Sequence, residues 1–85
     1  MLRRLKRSIN AMLAYVRRAL QTHGLMRAYH SRPPYQQNDY LGWIGRAALE
    51  VTKQKRLGQM LAELKKGNVY MKMAWRDKKL NRRGK

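Results

Sequence analysis

A surplus of positive charge constrains this chain more than any other feature. Its 85 residues hold 21 Lys and Arg against 4 Asp and Glu, a formal net charge of +17. Self-repulsion on that scale opposes collapse, and a chain so short buries only a modest share of its surface. A stable fold therefore requires a few well-aligned apolar stripes with the cations turned outward. Apolar residues make up 44% of the sequence, five Tyr and two Trp among them and no Phe, which is enough for one small core and argues against complete disorder. There is no cysteine, so disulfides, thiolate metal sites and cysteine nucleophiles are excluded together and the redox compartment is left open.

The charge is unevenly spread. Residues 1–38 contain eight bases and no acid, 39–68 contain six bases against Asp39, Glu50 and Glu63, and 69–85 contain seven bases against Asp77. The two ends are strongly basic, and the middle reads as an ordinary globular surface. No apolar run reaches membrane-spanning length, because charge interrupts each within a few residues. The basic start has the outline of a secretory signal, but Arg17 and Arg18 follow too soon after a short apolar stretch that lacks a small-residue cleavage site, and export by that route is not expected. The same acid-free, Arg-rich start shares its composition with organelle transit peptides.

The spacing of apolar residues predicts helices. Leu2, Leu5, Ile9, Met12, Leu13, Val16 and Leu20 fall within an arc of about 100° on a helical wheel, with Arg3, Arg4, Lys6, Arg7, Arg17 and Arg18 all outside it. A first helix is expected over 3–22, with Gly24 as its stop. Leu25 to His30 adds at most a short turn before Arg32, Pro33 and Pro34 end it, since a residue before proline is driven from helical dihedrals. Asn38 and Asp39, both helix-capping types, precede the broad apolar face of Tyr40, Leu41, Trp43, Ile44, Ala47 and Ala48, so a second helix is expected over 37–47. Leu57, Met60, Leu61 and Leu64 form a compact stripe that stops at Gly67. Lys65 and Lys66 sit where cations suit the helix dipole, and a third helix is expected over 49–66. From Val69 to Trp75 the apolar residues alternate with a period of two, which predicts an extended segment across the helices. A single short strand has no partner, so no sheet is expected. The expected fold is all-α: a small three-helix bundle with an extended C-terminal segment in one domain, residues 1–75, and a basic, flexible tail at 76–85.

No catalytic arrangement is legible, and neither an enzyme, a cofactor nor a metal is expected. His23 and His30 stand near a helix break without a carboxylate cluster beside them, and the acids are scattered from Asp39 to Asp77. Neither a phosphate-cradling glycine loop nor a nucleophile elbow is present. Tyr40 and Trp43 share helical spacing with Ile44, which favours core packing over a stacking platform. Met60, Met71 and Met73 read as gap-filling side chains rather than a partner groove.

Polyanion binding has the better physical case, because neutralising phosphates takes many cations on one accessible surface. Arg3, Arg4, Arg7 and Arg18 share a helix face with Tyr15, which lies outside the apolar stripe and suits stacking on a base or covering a ribose. Arg76, Lys78, Lys79, Arg82 and Arg83 add the cations of the tail. No base-reading motif accompanies them, so the expected partner is the nucleic-acid backbone, bound without sequence preference by a monomer. Two alternatives use the same first helix: an anionic membrane surface, since Lys and Arg flank a narrow apolar stripe, and a partner helix in a protein–protein adaptor. A cytoplasmic location is expected, with the membrane periphery as its alternative.

The middle of the chain also resembles a known family. The run Arg32-Pro-Pro-Tyr-Gln-Gln-Asn-Asp-Tyr-Leu-Gly-Trp-Ile, then Ala47, then Thr52-Lys-Gln-Lys-Arg-Leu-Gly-Gln-Met-Leu, resembles the bacteriocin-protection, YdeI or OmpD-associated family. That family's pattern has a Tyr-x-x-Trp-Ile segment, an Ala-Lys stretch and a Thr-Arg-x-x-Arg-Ile/Leu helix. The likeness extends more weakly over Val16 to Met26 and Tyr70 to Trp75. It implies a small bacterial helical domain, linked by name to bacteriocin protection and an outer-membrane porin, and supplies no catalytic residues to assign here. Two positions depart from the pattern: Ala48 stands where Lys is expected, and Val51 where Glu usually precedes the Thr. Both make the junction of the second and third helices more apolar and leave open whether they are continuous.

Overall fold

The computed structural model describes residues 10–75; the expected helical turns at 3–9 and the tail at 76–85 lie outside them. In chain order the elements are α1 (Ala14–Thr22), α2 (Met26–His30), α3 (Pro34–Gly45), α4 (Glu50–Lys66), β1 (Val69–Tyr70) and β2 (Met73–Ala74). The helical class holds, but the described residues form four helices and a two-stranded hairpin where three helices and no sheet were expected.

Three boundaries differ from expectation, each for a physical reason. Residues 10–13 are not helical, and Leu13 is an extended N-cap with ψ 146°. Asn10 ties this segment to α3 instead: its backbone N–H donates to Asn38 Oδ1 at 2.6 Å and its side-chain amide to the Asn38 carbonyl at 3.1 Å. Tertiary hydrogen bonds thus replace the helical turn that apolar spacing alone would continue. The second discrepancy is the start of α3, which begins at Pro34 rather than near Asn38. Pro33 is the extended residue before a proline (ψ 149°) and Pro34 takes the first helical position, where a missing N–H costs nothing and φ is already set. The pair of prolines therefore opens a helix as well as closing the short α2. Asn38 and Asp39 lie inside α3 and are used laterally, Asn38 by Asn10 and Asp39 by the Tyr70 hydroxyl at 2.7 Å.

The third difference is the hairpin. Val69 pairs with Ala74 and Tyr70 with Met73 in antiparallel register, so the alternating segment finds its partner in itself. Its two-residue turn places Met71 at φ 50° and Lys72 at φ 65°, the left-handed conformations that a type I′ turn demands and that Asn-Gly ordinarily supplies.

Other breaks fall where expected. Gly67 ends α4 at φ 84° with its N–H on the Glu63 carbonyl at 2.9 Å, and Gly24 follows α1 at φ 65°. Helices α3 and α4 are separate, divided at Arg46–Leu49, and the departures Ala48 and Val51 are both exposed there.

The core collects one face of each helix: Val16 and Leu20 from α1, Tyr29 from α2, Tyr40, Leu41 and Ile44 from α3, and Leu57, Met60 and Leu64 from α4. Trp43 is half-buried at its edge. Met60 is fully enclosed and Met71 packs against the core, whereas Met73 is exposed. Leu20→Ala should lower the free energy of unfolding by about 3 kcal/mol, measured by chemical denaturation. Leu49 is the exposed N-cap of α4 and makes no capping bond; Leu49→Ser should therefore raise stability by about 0.5–1 kcal/mol in the same assay.

Candidate nucleic-acid interface

The surface is shaped by a polar node that the apolar pattern does not reveal. Arg32, Gln36 and Glu63 are all buried, with Gln36 fully enclosed and the two charged residues 4% exposed. Arg32 reaches in from the link between α2 and α3. Its Nη1 donates to Gln36 Oε1 at 2.9 Å, and its Nη2 to the carbonyls of Glu63 and Val69 at 3.0 and 2.9 Å. The guanidinium also lies 4.5 Å from the centre of the Trp75 ring. One side chain thereby fastens the last turn of α4, the start of β1 and the residue that follows the hairpin.

Glu63 performs the reciprocal task. The Tyr40 hydroxyl and the Met71 N–H donate to its Oε1, and the Lys72 N–H and the Gln59 amide to its Oε2 at 2.8 and 3.0 Å. Four donors saturate the carboxylate, which a buried charge requires if it is not to be destabilising. Two of them are consecutive N–H groups of the left-handed turn, so the strained backbone at Met71 and Lys72 is held open by the acid beneath it. Tyr70 extends the contact: its ring packs edge-on against Tyr40 and Tyr35 at 5.5 and 6.0 Å.

Each described acid is thus engaged. Glu63 is saturated inside, Asp39 accepts from Tyr70, and Glu50 accepts from Gln54 at 2.8 Å and pairs with Lys53 at 3.5 Å. Gln54, then Lys53, draw the Glu50 carboxyl below the usual range. The bases are distributed otherwise. Arg17, Arg18 and Arg27 on α1 and α2, Arg46 after α3, Lys55, Lys65 and Lys66 on α4, and Lys72 in the turn are all exposed. Lys53 and Arg56 are half-buried, and Arg32 is a cation turned inward.

Of the residues expected to bind a polyanion, Arg18 and Tyr15 lie within the described part. Arg18 is exposed and lines a shallow groove with Met12, Ala14, Arg17 and Gln21. Tyr15 is half-buried, packed against the core, and Lys53 Nζ lies 5.0 Å from its ring centre. Arg3, Arg4, Arg7, Arg76, Lys78, Lys79, Arg82 and Arg83 lie outside the described residues. A second groove, between α4 and the hairpin turn, is lined by Thr52, Lys55, Arg56, Gln59 and Lys72. It had no sequence signal as a site, because Lys72 joins the helix only through the turn. Arg56 is fixed at its edge by a 2.7 Å bond from Nη1 to the Trp43 carbonyl, with the guanidinium 5.3 Å from the Trp43 ring centre.

Both histidines are exposed, and among the described residues no group of three His, Asp or Glu side chains converges as a metal site would require. No described helix is long and apolar enough to cross a membrane.

Comparison with known proteins gives one finding: the family described as bacteriocin-protection, YdeI or OmpD-associated matches residues 12–67. No curated protein and no solved structure matches the chain.

Arg32→Met should cost about 3 kcal/mol, since two buried acceptors and one part-buried acceptor lose their donor. Tyr40→Phe should cost about 1–2 kcal/mol and also change the alkaline behaviour. Burial, then the bond to Glu63 and its charge, raise the Tyr40 pKa well above 10.0. The unfolded tyrosine ionises near 10.0 while the folded one keeps its proton, so this stabilisation is complete below that pH and is lost as pH rises through it toward the folded value. Denaturation curves across that range should show the wild-type protein losing a component of stability that Tyr40→Phe lacks.

Proposed function

The chain belongs to the bacteriocin-protection, YdeI or OmpD-associated family, and from that premise we propose that it is a non-catalytic binding protein that engages the phosphate backbone of nucleic acid without sequence preference. The observation that carries this reading is the fate of the acids. Glu63 is consumed by the core and Asp39 by Tyr70, leaving Glu50 as the exposed described carboxylate, already paired with Lys53. Among the described residues, eight Lys and Arg side chains on the helices, their links and the hairpin turn are exposed. The net charge of +17 draws polyanions from a distance, and a subset of these exposed side chains supplies the ammonium and guanidinium contacts.

The buried stripe of α1 supports this reading over a lipid surface. Val16 and Leu20 are fully buried, so at these positions the apolar face that would enter a headgroup layer is already used by the core. The binding proposed is indifferent to base identity, because the sequence carries no base-reading motif.

Fluorescence anisotropy of a labelled DNA duplex, titrated with salt, tests the reading. Six phosphate contacts should give a log–log slope of roughly −5, indifferent to base sequence. A flat salt dependence, or no binding at low salt, would remove the proposal.

A further inference from the structure

Thr52, Lys55, Arg56 and Gln59 recur at three-, four- and seven-residue steps from Thr52 and so share one side of α4, and Lys72 closes the groove from the hairpin turn. We infer that this groove is a phosphate subsite: it takes a phosphodiester of the nucleic-acid backbone between Lys55, Arg56 and Lys72, with Thr52 and Gln59 as neutral donors. The inference deepens the backbone-binding reading and rests on it.

The strained turn is the first support. Two consecutive non-glycine residues at φ 50° and 65° occupy the left-handed region that L side chains disfavour. Such strain persists where surrounding structure over-determines it, and it collects at functional positions. Here a buried carboxylate binds both turn amides, and the outcome is a lysine held beside the cationic face of α4. Preorganisation is the second. Arg56 is anchored by the Trp43 carbonyl and ring, and with five N–H donors on a guanidinium one such bond leaves others for an anion. Less side-chain freedom is then lost when a phosphate arrives. The third is the sign of the lining. No acid contributes to it, and Glu63, the carboxylate behind the turn, is saturated by its four donors.

Three versions of the full chain, each verified as folded by circular dichroism, are titrated against labelled single-stranded oligothymidylate at several salt concentrations. They are the wild type, the groove pair Lys55→Ala with Lys72→Gly, and the control pair Lys65→Ala with Lys66→Ala. Glycine suits the left-handed position of Lys72, alanine suits an exposed helix, and both pairs remove the same charge. The groove pair should weaken binding about tenfold and flatten the log–log slope by about 1.4, the value for two contacts to a single strand. The control pair should weaken binding by no more than about threefold, as screened charges outside the contact do. Equal losses in the two pairs overturn the subsite while the general backbone reading stands. Failure of the wild type to bind at all overturns that reading and the subsite together.

Discussion

The buried pair formed by Arg32 and Glu63 holds the rest of the structure in place. Neither residue bonds to the other's charged group; each is satisfied by its own set of partners, one of them four residues away and the others on different elements. Arg32 joins the α2–α3 link to the end of α4 and the start of β1. Glu63 joins α4 to Tyr40 of α3 and to the hairpin turn. Desolvating two charges is costly and is offset only where every donor and acceptor finds a partner. That condition makes the node specific: a shifted register of α4 or of the hairpin would leave a buried charge unmatched. The hairpin depends on it most, because β1 is half-buried, β2 is exposed, and a two-stranded ribbon has little stability of its own.

The node also adds to the cationic character of the surface, which composition already sets. A protein with few acids could have placed them outside, where they would offset neighbouring lysines. Here one of the three described acids is spent on holding backbone together and a second on a tyrosine hydroxyl. What remains outside is repulsive to itself, and the nine buried apolar side chains of the core must outweigh that repulsion. Salt therefore acts on the protein in two opposed ways: it relieves the self-repulsion of the folded state and weakens attraction to a polyanion.

Much of the helical core is legible in the residues. The stripe Leu57, Met60 and Leu64 has the spacing of a helix face, Gly24 and Gly67 mark real breaks, and Tyr40 packs inside rather than serving as a platform. The family resemblance drawn from Arg32 to Leu61 also holds. What is not legible depends on contacts between distant residues. Apolar spacing continues α1 back through Met12, but Asn10 bonds Asn38, twenty-eight positions away. Asn38 and Asp39 look like caps until Pro34 is seen to occupy the first helical turn. Met71-Lys72 carries no turn signature, because the residue that makes the turn tolerable is Glu63 on another element. Glu63 does leave a trace: it is an acid three places after Met60, beside the apolar stripe and, apart from Glu50 in the first turn, among the cations of its helix. For the candidate site, composition indicates the sign of the partner, but only folding assembles Lys72 with Lys55 and Arg56.

The central claim is that the cations left outside are free for a polyanion to meet. The most direct check is the ultraviolet spectrum of the full-length protein isolated from cells at low salt, before and after a wash in molar salt. The account predicts nucleic-acid absorbance that accompanies the protein at low salt and departs in the wash, with the helical circular dichroism unchanged. Protein that emerges at low salt already free of nucleic acid would contradict it.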